Sequence, residues 1–312
     1  MNLEGHRIFI TGGTGFLGRH LKSLLFSKCQ DIDIETTGSK HDLTNKDTVE
    51  TLFNVYNPEV VFHLACPMGG GNVKFAGSHQ ADLMRDMLLM NTNVVEACQQ
   101  YGVSKLVTVG SACSYPREHG VLSEEVDLWN GYPHESHAAY GIAKRVMAEQ
   151  CKAYREQYGL NAIHLILANL YGPGDKLTEK SHFIPATILK VLNAQLQGEG
   201  SVNLWGTGHP TRDLIYVEDA ADAILLAAEH YDARGPLNIG TGKEVSIAEV
   251  AEMIRDLMEW RGYFVCDPSK PDGQPRRSLD ISLTKDLLGW EPKTSLREGL
   301  LKTIKDVRER VK

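Results

Sequence analysis

The chain lacks the usual marks of a metal or disulfide scaffold. Its six cysteines (Cys29, Cys66, Cys98, Cys113, Cys151, Cys266) include no C-x-x-C pair, which argues against a disulfide framework and a structural zinc site. They are expected to be free thiols in a reducing compartment. Twelve histidines include no H-E-x-x-H, and no metal is expected. No apolar run approaches the roughly 20 residues needed to cross a bilayer, so no membrane span is expected. Positive charge is scarce: 33 Lys and Arg against 40 Asp and Glu leave a formal net charge of -7, the wrong sign for a nucleic-acid or anionic-membrane surface. The amino terminus, Met1 to His6, enters a strand-like run without the basic, apolar, small-residue order of a secretion signal, so a cytoplasmic location is expected. Internal repeats and low-complexity segments are absent too.

What is present is patterned apolar sequence. In 312 residues, 42% are apolar, enough for a large core in one α/β unit or two lobes. Short runs, Arg7 to Ile10, Val60 to Leu64, Leu106 to Val109 and Ala162 to Leu167, alternate with helical stretches. That order predicts parallel strands crossed by helices. The runs are nearly continuous in apolar character, as strands covered on both faces require. Leu17, Leu21, Leu24 and Leu25 recur at helical spacing, as do Val94, Val95 and Cys98, giving each crossover an apolar stripe. The expectation is an α/β fold with a Rossmann-like doubly wound parallel sheet and a smaller carboxy-terminal lobe. Residues 1–168 plus 214–242 make the first, and 169–213 plus 243–312 the second. Gly, Pro and polar residues crowd 171–175, 205–210 and 267–277, which read as long functional loops.

The first run leads directly into Thr11-Gly12-Gly13-Thr14-Gly15-Phe16-Leu17-Gly18, a G-x-x-G-x-x-G turn opening a helix. Glycines there let the backbone bend and let a pyrophosphate approach the helix amino end, whose N–H groups favour negative charge. At the first strand-to-helix junction this predicts a dinucleotide cradle of Gly12, Thr14, Gly15, Phe16, Leu17 and Gly18, with Leu64 at the end of the second of these runs. Which dinucleotide binds stays open. Glu35 can accept a ribose hydroxyl, favouring NAD(H), whereas Thr37-Gly38-Ser39-Lys40 offers hydroxyls and a cation suited to the 2′-phosphate of NADP(H). Asp42 is a candidate for the adenine amino group or, equally, a helix cap.

Tyr140 and Lys144 stand four apart on one helix face. A phenol titrates near pH 10, so it serves at neutrality only where a neighbouring ammonium stabilises the phenolate, a role Lys144 can fill. Ser111, at a strand end between the two motifs, can bond the same substrate oxygen.

The glycine turn, Ser111, Tyr140 and Lys144 together resemble the extended short-chain dehydrogenase/reductases. Gly110 to Pro116, Asn169 to Pro173, Ser181 to Ala186, Trp205 to Gly208 with Arg212, and Lys270 to Gly273 with Arg276 and Arg277 resemble its GDP-keto-sugar epimerase/reductase branch. This resemblance covers nearly the whole chain. It implies an NADP(H)-dependent enzyme acting on a small-molecule nucleotide sugar and working as a homodimer. By the same resemblance Cys113 is the base and His182 the acid of a ring-proton exchange, both with ordinary pKa values within reach of neutrality. Asn169, Lys190, Trp205, Arg212 and Lys270 then fall to the nucleotide sugar, with Arg212 and Lys270 the preferred diphosphate ligands among the cations that also include Arg276 and Arg277. A 4-reductase, a 4-epimerase and a colitose-type synthase are the alternatives within the class, and a dinucleotide-sensing protein the alternative outside it.

Three features depart from the branch. Met87 stands where an Asn is common, loop 65–71 lacks the usual lysine, and Glu135-Ser136-His137 replaces a more typical Pro-Thr-Asn. All three surround the expected sugar and nicotinamide, so they bear on which sugar is used.

Overall fold

β-branched and aliphatic residues fill the runs that become strands, because a pleated strand buried on both faces offers them good packing. The computed structural model describes residues 1–67, 79–117, 121–122, 126–177 and 181–311, so residues 68–71 of the unusual loop lie outside the described residues. The strands are β1 (Arg7–Thr11), β2 (Asp33–Thr36), β3 (Val60–His63), β4 (Lys105–Ser111), β5 (Val121–Leu122), β6 (Ala162–Leu167), β7 (Asn169–Tyr171), β8 (Ser201–Trp205), β9 (Thr211–Arg212), β10 (Leu214–Tyr216), β11 (Leu237–Ile239), β12 (Val245–Ser246), β13 (Tyr263–Asp267) and β14 (Ser278–Leu279). The helices are α1 (Phe16–Lys28), α2 (Lys46–Tyr56), α3 (Gln80–Gln100), α4 (Ala138–Tyr158), α5 (Phe183–Gln197), α6 (Val217–His230), α7 (Ile247–Leu257), α8 (Ser282–Leu288) and α9 (Leu296–Val311).

Six strands form one parallel sheet in the order β11-β6-β4-β3-β1-β2. The doubly wound sheet expected from the alternation is therefore present. Every residue of β3 and β6 is buried, which is why those runs show no polar alternation. After β2 the chain crosses to the other side of β1 to make β3, and this reversal opens a crevice at the carboxyl ends of β1, β3 and β4. Side chains alternate across the sheet. Ile8 and Ile10 pack with Leu21 and Leu25 of α1 and with α6, whereas Phe9 faces Phe53 of α2 and Val94, Val95 and Cys98 of α3. Each such side chain contributes about 1.5–3 kcal/mol on burial.

A separate core joins Ile184, Ile188 and Val191 of α5 to Val250 and Ile254 of α7 and Leu300 and Ile304 of α9. It is tied to the sheet's carboxyl edge by the β7–β10 pair and carries the parallel β8–β13 pair on its flank. Two buried histidines link helices to the main sheet. His63 bonds Thr11 Oγ1 at 2.7 Å and Asn91 of α3 at 3.0 Å. His164 bonds Thr108 Oγ1 at 2.8 Å, and that hydroxyl lies 3.3 Å from Cys151 Sγ of α4. Among the described residues, no helix is long and apolar enough to cross a membrane.

Candidate active site

The glycine turn sits at the mouth of the crevice. Gly12 has φ +73°, in the left-handed region, and a Cβ there would lie 2.9 Å from the Ala65 backbone. Gly18, in the first turn of α1, presses so closely on the loop that a Cβ would meet Gly12 O at 2.4 Å. Gly15 is the helix N-cap and no side chain caps it, which leaves the first N–H groups of α1 for a ligand. Phe16 and Leu17 start that helix, Phe16 edge-on to His20 and Leu17 packed on the core. Leu64 follows β3 and donates its N–H to Thr11 O.

Thr14 lies against Gly38, where a Cβ would meet its Oγ1 at 2.3 Å, so the cradle touches the segment that follows β2. That segment, Thr37 to Lys40, carries no carboxylate. Glu35 lies earlier, within β2 and paired with Phe9. Thr37 is buried and accepts from the Gly12 N–H at 3.4 Å. Lys40 is exposed. Asp42 uses its carboxylate on the N–H and hydroxyl of Thr44, at 3.0 and 2.6 Å, which makes it a turn residue ahead of α2.

Ser111 ends β4, and the single helical turn Ala112–Ser114 follows at once, with Ser111 Oγ accepting from the Cys113 N–H at 3.3 Å. The chain reverses here against α4. Gly141 makes the approach possible, since a Cβ at that position would lie 2.5 Å from Cys113 O. Tyr140, the residue before it, is thereby brought into one buried cluster with Cys113 and Met87. Burial pushes the Tyr140 phenol well above its ordinary value, and the thiols of Cys66 and Cys113 add to this; a hydrogen bond with Ser111 and the charge of Arg277 oppose it. Lys144 does not point at the phenol. Its ammonium donates to Val109 O at 2.7 Å and lies 6.0 Å from the Tyr140 ring centre, and burial lowers its pKa.

His182 is the N-cap of α5 and makes no capping bond through its side chain. Its Nδ1 instead faces the buried carboxylate of Asp175 at 3.1 Å. That hydrogen bond raises the imidazole pKa against burial, and the Asp175 and Cys113 charges act in the same direction. His182 and Cys113 are thus within electrostatic reach of each other.

The expected nucleotide-sugar ligands are more dispersed. Asn169 begins β7 and donates its N–H to Asp213 O. Lys190 Nζ is tied to Asn203 O at 2.8 Å, Trp205 is half exposed, and Lys270 is exposed. Arg212 is held by Thr211 O and Gln274 O at 2.6 and 2.8 Å, its charge disfavoured by burial and then by Arg277. Arg276 pairs outward with Glu244, whereas Arg277 is buried. Sequence reasoning missed two participants. Asp175 carries no local signal, because its role exists only once the loop returns seven residues later. His137, visible as a departure from the branch, is buried beside Arg277 and Cys113.

The model of the NAD dependent epimerase/dehydratase family matches residues 8–240. The chain belongs to that family. It is 37% identical over 303 residues to a GDP-L-fucose synthase of Sinorhizobium fredii, covering 96% of this chain and 95% of the relative. The crystal structure of a GDP-L-fucose synthetase from Naegleria fowleri bound to NADP superposes with a TM-score of 0.88 at 28% identity, covering 97% and 94% of the two chains. A GDP-6-OMe-4-keto-L-xylo-heptose reductase from C. jejuni gives 0.90 at 28% identity, with 99% of each chain covered. Similarity therefore extends through both the glycine turn and the carboxy-terminal core.

Proposed function

We propose that this enzyme uses NADP(H) to epimerise C3 and C5 and reduce C4 of a GDP-4-keto-6-deoxyhexose, giving GDP-L-fucose or a close analogue. The observation that carries the reading is the meeting of Cys113 and Tyr140 in one buried cluster, with the half-buried Ser111 accepting from the Cys113 N–H and hydrogen-bonded to Tyr140, and with His182 in electrostatic reach. The uncapped amino end of α1 would hold the pyrophosphate, and Thr37, Ser39 and Lys40 the 2′-phosphate, since no carboxylate closes β2. When bound, the reduced nicotinamide supplies a hydride.

A ketone at C4 makes the hydrogens on C3 and C5 acidic. The Cys113 sulfur takes one: the S–H bond forms as C–H breaks, and the electron pair moves onto the carbonyl oxygen. Ser111 and Tyr140 donate hydrogen bonds to that oxygen as its charge grows. His182 returns a proton to the carbon, its protonated form favoured by Asp175. In the reduction Tyr140 gives its phenolic proton to the C4 oxygen. The Lys144 ammonium, fixed on Val109 O, places a positive charge beneath the phenol ring.

The same reading assigns residues 1–168 plus 214–242 to the dinucleotide and 169–213 plus 243–312 to the nucleotide sugar. It includes Lys190, Trp205, Arg212 and Lys270 as sugar-nucleotide ligands, a homodimer formed through sheet-covering helices, and a cytoplasmic location. GDP-4-keto-6-deoxymannose with NADPH in deuterium oxide should consume NADPH and yield product deuterated at C3 and C5. Cys113→Ser should lose at least ~100-fold of the exchange while NADPH affinity changes less than about twofold. No turnover rejects the substrate; full exchange in Cys113→Ser removes the sulfur from the mechanism. NADPH consumption without exchange supports a plain 4-reductase, which the likeness to the C. jejuni reductase favours as the second reading.

A further inference from the structure

The loop Gly172-Pro173-Gly174-Asp175 is held by side chains from two helices. Gly174 has φ +84°, one of many conformations open to a glycine, so the shape of the loop is imposed from outside. From α1, His20 Nε2 lies 2.9 Å from Pro173 O, and Arg19 Nη2 donates to Gly174 O at 2.7 Å. From α9, Asp306 Oδ2 accepts the Gly174 N–H at 2.9 Å. Arg310 Nη1 donates to Asp175 O at 2.6 Å while holding the same Asp306 oxygen at 3.0 Å. The carbonyls on either side of the Asp175 Cα are therefore each fixed by a guanidinium. With the backbone set, the carboxylate divides in one way: Oδ1 accepts the Lys176 N–H at 2.7 Å and Oδ2 meets His182 Nδ1 at 3.1 Å. Asp175 is 4% exposed, whereas half of the His182 side chain is open, so the carboxylate holds one ring nitrogen and leaves the rest of the ring accessible to a ligand.

We propose that Arg310, braced by Asp306, is a positioning residue for the proton donor: by fixing the Asp175 peptide it aims the carboxylate at His182 Nδ1 and so commits Nε2 to the exchange with substrate. A carboxylate on one imidazole nitrogen sets the tautomer and the orientation of the other. A partly exposed ion pair one helical turn apart contributes little to stability, so what Asp306 and Arg310 supply is the geometry of the loop they grip. Arg19 extends the frame to the cofactor cradle, since its guanidinium also donates to Thr14 O at 3.4 Å. The electrostatics agree with the geometry. The Asp175 hydrogen bond is the foremost influence on the imidazole and raises it; the Asp175 and Cys113 charges act with it, and burial and the Lys176 charge oppose it. Behind the loop stand Asp306 and Arg310 from α9 and Arg19 and His20 from α1.

This role presupposes that His182 is the proton donor of the proposed reaction, but titration of its ring in the substrate-free enzyme reads the positioning alone, so a failed turnover assay leaves that measurement intact. The ring signal is followed by NMR in the full chain and assigned by its loss in His182→Gln. Arg310→Met should titrate at least about half a pH unit lower than the wild type, in the direction of Asp175→Asn. The double variant Arg310→Met/Asp175→Asn should match Asp175→Asn alone, because a residue that acts through another adds nothing once that other is gone. Deuterium exchange should follow the same cycle: at least ~10-fold slower in Arg310→Met, less than about twofold further in the double variant, with NADPH affinity changed less than about twofold. Thermal melting confirms that each variant is folded; if Arg310→Met does not fold, Asp306→Ala, which removes the brace and the acceptor for the Gly174 N–H, takes its place in the cycle. An unmoved His182 midpoint in a folded variant overturns the proposal. Losses that add in the double variant also overturn it, because Arg310 then acts by a route other than Asp175.

Discussion

The two buried histidines set an acid limit on this fold. Burial lowers His63 to about 4 and His164 to about 3, and the Lys144 charge acts in the same sense, although Asn91 resists it at His63. Both are neutral when folded and titrate near 6.5 when unfolded. Above pH 6.5 neither state binds the proton and stability is at its full value. As pH falls below 6.5 the unfolded chain gains protons that the folded chain refuses, so stability drops until the folded values are reached. At pH 4.5 each histidine has removed roughly 2.5 kcal/mol, and the pair about 5 kcal/mol, comparable to the whole stability of a small domain. Urea unfolding followed by tryptophan fluorescence at half-unit steps from pH 7 to 4.5 measures this directly. The double variant His63→Gln/His164→Gln should start less stable yet lose about 5 kcal/mol less over that interval. Equal losses in the two proteins would refute the assignment of both rings as buried and neutral.

Two further outcomes follow from contacts at the site. Gly18→Ala brings a methyl to 2.4 Å from Gly12 O and 2.6 Å from Gly13 Cα, backbone atoms that cannot step aside. A loss of at least ~10-fold in NADPH affinity by calorimetry is expected, and unchanged affinity would show that the turn is not the binding element. Asp175→Asn removes the hydrogen bond that raises His182, so the imidazole should titrate at lower pH by NMR and the alkaline limb of the deuterium exchange should move down with it. Exchange whose pH profile is unmoved would exclude His182 as the acid.

The main sheet was legible because its strands are short apolar runs between amphipathic helices, and period and spacing survive without tertiary information. β2 was the weak point, since only Ile34 of its residues is buried and an edge strand needs no apolar run. Small pairs such as β9–β12 and β5–β14, two residues each, have no sequence period at all; long-range pairing alone creates them.

The site divides along the same physical line. Cys113, Ser111, Tyr140 and Lys144 lie at strand and helix positions whose neighbours in sequence are also their neighbours in space, so spacing and motif reach them. Asp175 meets His182 across the loop after β7, and His137 meets Arg277 between the turn before α4 and the approach to β14; no local pattern encodes such meetings. Lys144 marks the opposite limit. Its four-residue spacing from Tyr140 put both on one helix face, yet the ammonium reaches across to Val109 O because a buried charge takes the strongest acceptor within its length. Spacing fixes where a side chain starts; the buried acceptors around it decide where its charge ends, and here that is Val109 O near the end of β4 rather than the phenol oxygen that the motif leads one to expect.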